Sequence, residues 1–260
     1  MKTSLKSIFA IGIVATFAMA TMSCEETNAI GKSDDPWAGL VNEDSKTSSV
    51  NGNTLTYGDH TYTVDGKIEW VQATTQIKDP TATVTFTHIP SGYTEFSAVY
   101  QFLGKYPHGA AAMGVMAEEI YARNATVGEK CFNLLCGETN AAGIIRILKT
   151  KFNYSKYSPE DDKYVQRYLP AALLKGASYD NAYTPDYPYV VEMASSANKP
   201  QMTWDNEEVT FIYTFGFGGW DSFQRGAEVT KKSTGLYQLT NCPSYYTQCK
   251  NIVGTWKGLK

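Results

Sequence analysis

Between Thr94 and Ala177 the apolar residues of this chain recur every three or four positions, whereas on both sides they alternate with polar ones. Such a sequence must place helices in its middle and strands at its two ends. The central stretch is well punctuated. Thr94 and Glu95 start a helix that carries Phe96, Val99, Tyr100 and Leu103 and stops at Gly104. Pro107-His108-Gly109 opens a second, running to about Arg123, which buries Met113, Met116, Ala117 and Ile120. The adjacent pair Glu118 and Glu119 flanks the side opposite this stripe and reads as a solvated face. Thr126-Val127-Gly128-Glu129 has the form of a capping box, in which the threonine hydroxyl and the glutamate satisfy amides that a helix start leaves orphaned. It predicts a helix ending at Gly137. A fourth runs from Ala141 to Phe152. Ser158-Pro159-Glu160-Asp161 predicts a fifth, broken at Pro170 and ended by Gly176.

Strand signals lie outside this region. Leu55-Thr56-Tyr57 and Tyr62-Thr63-Val64 alternate, and Asp65-Gly66 predicts a hairpin turn before Lys67-Ile68-Glu69-Trp70. Residues 81–89 alternate with Val84, Phe86 and His88 on one face. Beyond the helices, 189–193, 208–217, 227–231 and 235–239 read as strands. The fold class expected is α+β: an antiparallel sheet from the N- and C-terminal segments, packed with the helical stretch 94–177 in one domain over residues 54–260. A split into a helical and a β subdomain is the alternative.

The first 23 residues read as a targeting signal. Lys2 and Lys6 precede an apolar run from Ile8 to Met22, too short and too early for a spanning helix. Thr21-Met22-Ser23-Cys24 resembles a bacterial lipobox, which makes Cys24 the expected lipid anchor. Glu25, Glu26, Asp34 and Asp35 then resemble the surface-export signal of Bacteroidetes-type lipoproteins. Residues 24–53, rich in Ser, Asn, Asp, Gly and Lys, read as a flexible tether. The localisation expected is the cell envelope, lipid-anchored to the outer membrane and facing either the surface or the periplasm. Of 23 basic residues the signal takes two lysines, leaving 21 against 26 acids, a formal charge of −5. That balance argues against nucleic acid as a partner, since phosphate binding needs a basic surface.

Further on, Pro107-His108-Gly109-Ala110-Ala111-Ala112-Met113, the segment Gln166 to Ala172 with Lys175-Gly176-Ala177, Tyr183-Thr184-Pro185, Pro188-Tyr189 and Gly218-Gly219-Trp220-Asp221-Ser222 with Arg225 resemble an unknown-function domain family of Bacteroidetes-type envelope lipoproteins. The resemblance covers most of the chain beyond the signal. It implies an envelope location and a single domain, and no activity.

Candidate chemistry is sparse. Cys242 and Cys249 bracket a short loop and could form a disulfide in an oxidising compartment; two buried thiols are the alternative. Cys131 and Cys136 lie five residues apart, a rise of ~7.5 Å within one helix, beyond the ~7 Å reach of a bridge. They read as buried small hydrophobes. Cysteine spacing matches no zinc site, and neither a metal nor a cofactor is expected. His60, His88 and His108 are the histidines. His108, at a helix N-terminus, is a weak candidate for a neutral base or electrophile. Trp220, Asp221 and Arg225, in and beyond a glycine-rich turn, are candidate ligand-binding residues; a core tryptophan in a connecting turn is the plain alternative. No nucleophile-elbow, phosphate-loop or dinucleotide pattern occurs. Two function classes stay open. One is a non-enzymatic binding or assembly lipoprotein meeting a glycan, a peptide or an envelope protein. The other is a hydrolase-like enzyme using His108.

Overall fold

The computed structural model describes residues 42–72, 77–152, 166–216, 224–247, 249–254 and 256–259. Among these, nine strands form one antiparallel sheet: β1 (Ser48–Asn51), β2 (Thr54–Tyr57), β3 (His60–Gly66), β4 (Ala82–Phe86), β5 (Tyr189–Ser195), β6 (Gln201–Met202), β7 (Glu208–Phe215), β8 (Gln224–Lys231) and β9 (Tyr237–Asn241). The spatial order is β1-β2-β3-β4-β5-β7-β8-β9, with β6 paired to β7. The helices α1 (Tyr93–Leu103), α2 (Pro107–Arg123), α3 (Ala125–Cys136) and α4 (Glu138–Lys151) all fall between β4 and β5, which pair directly. The α+β fold with a sheet from both ends of the chain is the one the change of period predicts.

Alternation decides which face of the sheet meets the helices. Val84, Phe86, Val191, Met193, Ile212, Val229 and Leu239 are buried and point to one side. The helix α2 lies against that side, touching β4, β7, β8 and β9. It is enclosed on its other sides too, since every residue from His108 to Arg123 is buried. Small residues make this possible. A Cβ on Gly114 would meet Leu239 at 2.7 Å, and one on Gly128 of α3 would meet the Tyr121 backbone at 2.2 Å.

Enclosure overturns the solvated reading of the two glutamates: Glu118 and Glu119 are both 0 % exposed. A stripe of large apolar residues marks the face toward one neighbour, but Ala-Ala-Ala and Gly leave the remaining faces able to pack as well.

Local boundaries differ for identifiable reasons. The start of α3 is capped by Asn124, whose Oδ1 accepts the Val127 amide at 3.1 Å, two residues before the expected Thr126 box. Asp65-Gly66 ends β3 and pairs with Thr83 and Ala82 instead of turning a hairpin; the turn lies at Gly58-Asp59, where Gly58 takes φ +62°. The stretch expected as tether contains β1, and Glu43 within it caps α1, accepting the Tyr93 and Thr94 amides at 3.0 and 2.8 Å. Pro170 leads into a 3-10 turn at Ala171–Leu173. The helix expected from Ser158, like the targeting segment, lies largely outside the described residues.

Candidate functional site

Beyond Ser195 the chain leaves the sheet, runs through Ser196 to Pro200, and returns as the short strand β6. This detour frees part of β7, and two concavities open around it. The first, about 150 Å³, lies on the sheet face away from the helices, over Phe211 and Tyr213 of β7 and Gly226 and Glu228 of β8. Ser196, Asn198, Asn241 and Ser244 complete its walls. Tyr213 stands opposite Gly226, where an added Cβ would meet only the Ser244 hydroxyl at 4.0 Å, so the floor beside the phenol ring is bare backbone. Glu228 Oε1 accepts the Asn241 side-chain amide at 3.2 Å.

The second concavity, about 80 Å³, lies at the start of α2, between Pro107, Thr210, Glu208, Tyr237, Ile68 and Trp70. Asn198 and Phe211 belong to both. The two adjoin at the 196–200 loop but open on opposite faces of the sheet, the first away from the helices and the second on the helical side with Pro107 and Thr210. That loop is held from outside: Trp70 Nε1 donates to the Ala197 carbonyl at 3.4 Å, and the Lys199 ammonium sits 4.9 Å from the indole centre. Phe211 and Tyr213 thus line the first concavity, and Trp70, Phe211 and Tyr237 the second, with carboxylates, amides and hydroxyls between them. A larger, shallower groove of about 390 Å³ runs between α3 and α4, but it has no aromatic lining and the ion pair Lys149–Glu129, at 3.2 Å, crosses from one helix to the other.

The residues picked from sequence fare differently. His108 is 2 % exposed and neither ring nitrogen has a partner; burial lowers its pKa to about 4, which keeps the ring neutral. The hydrolase reading needs a nucleophile or carboxylate within hydrogen-bond reach of this ring, and the described residues supply none. Arg225 is 6 % exposed and points to the helical side of β8, where Nη1 donates to the Thr247 carbonyl at 3.4 Å; it does not offer its fork at the surface. Trp220 and Asp221, with the rest of the glycine-rich turn, lie outside the described residues, as does Cys24. Cys242 and Cys249 are free buried thiols, a correction to the disulfide reading. The thiol of Cys249 is directed to Tyr183 Oη, 3.2 Å away, in a cluster where Tyr183 stacks on Tyr168 at 4.8 Å. Cys131 and Cys136 are buried.

Folding also brings two histidines together that sequence left apart. His60 Nδ1 lies 2.6 Å from Glu95 Oε1, and the His60 ring stacks on His88 with centroids 4.0 Å apart. Tyr62 donates to the same carboxylate at 2.8 Å and the Ser91 amide to its other oxygen at 2.8 Å. Burial alone would raise the Glu95 carboxyl, but these donors outweigh it and hold it below its ordinary value. Burial and then the charge of His60 push His88 down to about 4. His60 thus lies between two carboxylates, with Nδ1 against Glu95 and Nε2 3.5 Å from Asp59. The visible work of this cluster is to join β3 to the first turn of α1. No described His, Cys, Asp or Glu residues form a group of three able to hold a metal.

Residues 88–253 match the family model described as a domain of unknown function, DUF6935. The chain belongs to that family. No curated protein and no solved structure matches it. The DUF6935 match begins after β4, so β1–β4 precede it while β4 pairs with β5 inside it. Every residue of the first concavity falls within the DUF6935 segment; Ile68 and Trp70 are added to the second from before it. Cleft residues such as Phe211 and Tyr213 carried no sequence signal beyond strand alternation, because a concavity made where one strand leaves a sheet has no local pattern.

Proposed function

We propose that this DUF6935 protein is a non-enzymatic binding module of the cell envelope, anchored through lipid on Cys24, and that it holds a neutral, ring-bearing polar ligand in the cleft over Phe211 and Tyr213, on the sheet face away from the helices. The observation that carries the reading is the cleft lining: Phe211 and Tyr213 beside the bare backbone of Gly226, with Asn198, Glu228 and Asn241 within the same concavity. Aromatic faces and a few convergent polar groups are what orient a small polar ligand. Sugar rings fit this chemistry, presenting C–H faces to aromatic rings and hydroxyls to amides and carboxylates. Glu228 disfavours an anion. At about 150 Å³ this concavity is smaller than a typical pocket of ~300 Å³ or more, which suits one ring held at the surface.

Titration with cello-, malto-, xylo- and galacto-oligosaccharides tests this. Binding of at least one is expected, with Tyr213→Ala weakening it about tenfold or more, as for an aromatic hot spot, and leaving the melting temperature nearly unchanged because Tyr213 is only half-buried. No binding by the wild type, or equal binding by the variant, would remove the cleft from consideration.

Anchorage is checked separately. Cys24→Ala should move the protein from the membrane fraction to the soluble one. No described helix is long and apolar enough to cross a membrane, so retention of the variant would contradict the lipid anchor.

A further inference from the structure

Strand β9 pairs regularly with β8 from Tyr237–Lys231 to Leu239–Val229 and then slips by one residue, so that Glu228 stands opposite Asn241 instead of Thr240. Thr240 is the extra residue of a β-bulge, and its hydroxyl donates back to the Glu228 carbonyl at 3.1 Å. The slip decides where Asn241 points. Leu239 is buried against the helices, and strict alternation would turn Asn241 the same way, as partner of the buried Ala227. The bulge turns it to the opposite face, beside Glu228, and both line the concavity that holds Phe211 and Tyr213. Bulges that re-aim a side chain recur next to active sites.

The register lays out the floor of this concavity as two cross-strand rows. Phe211, Glu228 and Asn241 stand side by side in one, Tyr213 and Gly226 in the other. Gly226 leaves a gap in the grid, because a Cβ there would meet only the Ser244 hydroxyl. A ring seated in the gap has the Tyr213 phenol on one side and, two residues along β8, the Glu228–Asn241 pair at its edge. The pair offers a defined pattern. A carboxylate only accepts, so the Asn241 amide must turn its Nδ2 to Glu228 Oε1, 3.2 Å away. Asn241 Oδ1 then faces away from the carboxylate, and neither it nor Glu228 Oε2 has another partner among the described residues. Two acceptors are left side by side. We propose that Glu228 and Asn241 read two neighbouring hydroxyls of a sugar ring seated over Gly226, each hydroxyl donating to one of these oxygens, so that the ligand class is a sugar with a free vicinal diol. This rests on the sugar-binding reading of the concavity.

Titration of the full chain, followed by NMR, with methyl glycosides of glucose, galactose, mannose and xylose and with their 2-, 3- and 4-deoxy forms tests the proposal. At least one parent glycoside should bind, and removing either of two adjacent hydroxyls from it should weaken binding about tenfold, since each loss strands an acceptor. Glu228→Ala and Asn241→Ala should each weaken the parent and cancel the penalty for the hydroxyl that the lost side chain reads. Both should keep the wild-type melting temperature, because Glu228 is half-buried and Asn241 exposed. Tyr213→Ala should weaken parent and deoxy forms alike. If Tyr213→Ala weakens binding while no adjacent pair of hydroxyls matters, or while their removal costs the same in the Glu228 and Asn241 variants, the diol reading is wrong and ring binding stands. The deoxy scan of the wild type needs no variant, so a variant that fails to fold leaves the test intact. If oligosaccharides bind and no methyl glycoside does, the single ring over Gly226 is wrong. If no sugar binds, or choline binds in their place, both readings fail.

Discussion

Replacing Glu118 with glutamine is expected to abolish the loss of stability that the wild-type protein suffers between pH 6.5 and about 8. Both Glu118 oxygens are buried without a partner, and burial pushes the carboxyl from 4.5 up to about 8. Below pH 4.5 the group is protonated whether the chain is folded or not, and its contribution to stability is fully present. As pH rises from 4.5 the unfolded chain ionises while the folded one holds its proton, so stability falls until the folded group ionises near 8. At ~1.4 kcal/mol per pH unit the fall is on the order of 4–5 kcal/mol, a large part of a domain's total. His88 and His108 act in the other direction. Their folded pKa values, about 4 against 6.5, mean that the unfolded chain binds the extra protons, and stability is lost as pH falls from 6.5 toward 4. The wild type should therefore be most stable near pH 6.5. In urea unfolding from pH 4 to 8.5, Glu118→Gln should match the wild type at pH 4 and hold a plateau above 6.5. Parallel decline of the two proteins above 6.5 would show that the carboxylate finds solvent or a partner.

Glu119, unlike its neighbour, has a partner. Its Oε1 accepts the Arg123 Nε at 2.9 Å, and Arg123 Nη2 donates to the Leu259 carbonyl at 3.2 Å, with Arg123 only 4 % exposed. Glu119→Ala would leave a buried guanidinium without its counter-charge, and a loss of ~3–5 kcal/mol is expected. Replacing both partners by apolar residues, Glu119→Leu with Arg123→Met, should cost markedly less, because no charge is then stranded. A single variant that loses under ~1 kcal/mol would place the pair in the range of solvated ion pairs. Because Arg123 also fixes Leu259, the single variant should raise hydrogen exchange in residues 256–259, whereas a purely local defect in α2 would not.

These two effects arise from residues that the sequence assigned to a solvated face. The reason is physical. Helical spacing reveals the side that carries large apolar groups, and it did so correctly for Met113, Met116 and Ile120. It cannot show that Ala110, Ala111, Ala112 and Gly114 let further elements approach the other sides. Likewise the cap of α1 was invisible, since Glu43 lies 50 residues before Tyr93 and no local box contains it. Asn124 was visible as a capping residue, but the Thr126–Glu129 pattern competed with it.

By itself the sequence determined the class of fold. A period of two at both ends and of three to four between them compels a sheet with helices inserted, and Gly104 and Gly137 mark helix ends, Gly137 by taking φ +73°, which other residues resist. What the tertiary structure alone decided is where charge and concavity lie. Glu95 gathers His60 and Tyr62 from β3 and the Ser91 amide from the turn before its own helix; Glu118 and Glu119, side by side, become one lone acid and one ion pair; and a concavity opens only because β5 and β7 part at the 196–200 loop. Each depends on which distant groups share a small dry volume. Burial and neighbouring charge set protonation and affinity, and they are properties of packing that residue order does not carry.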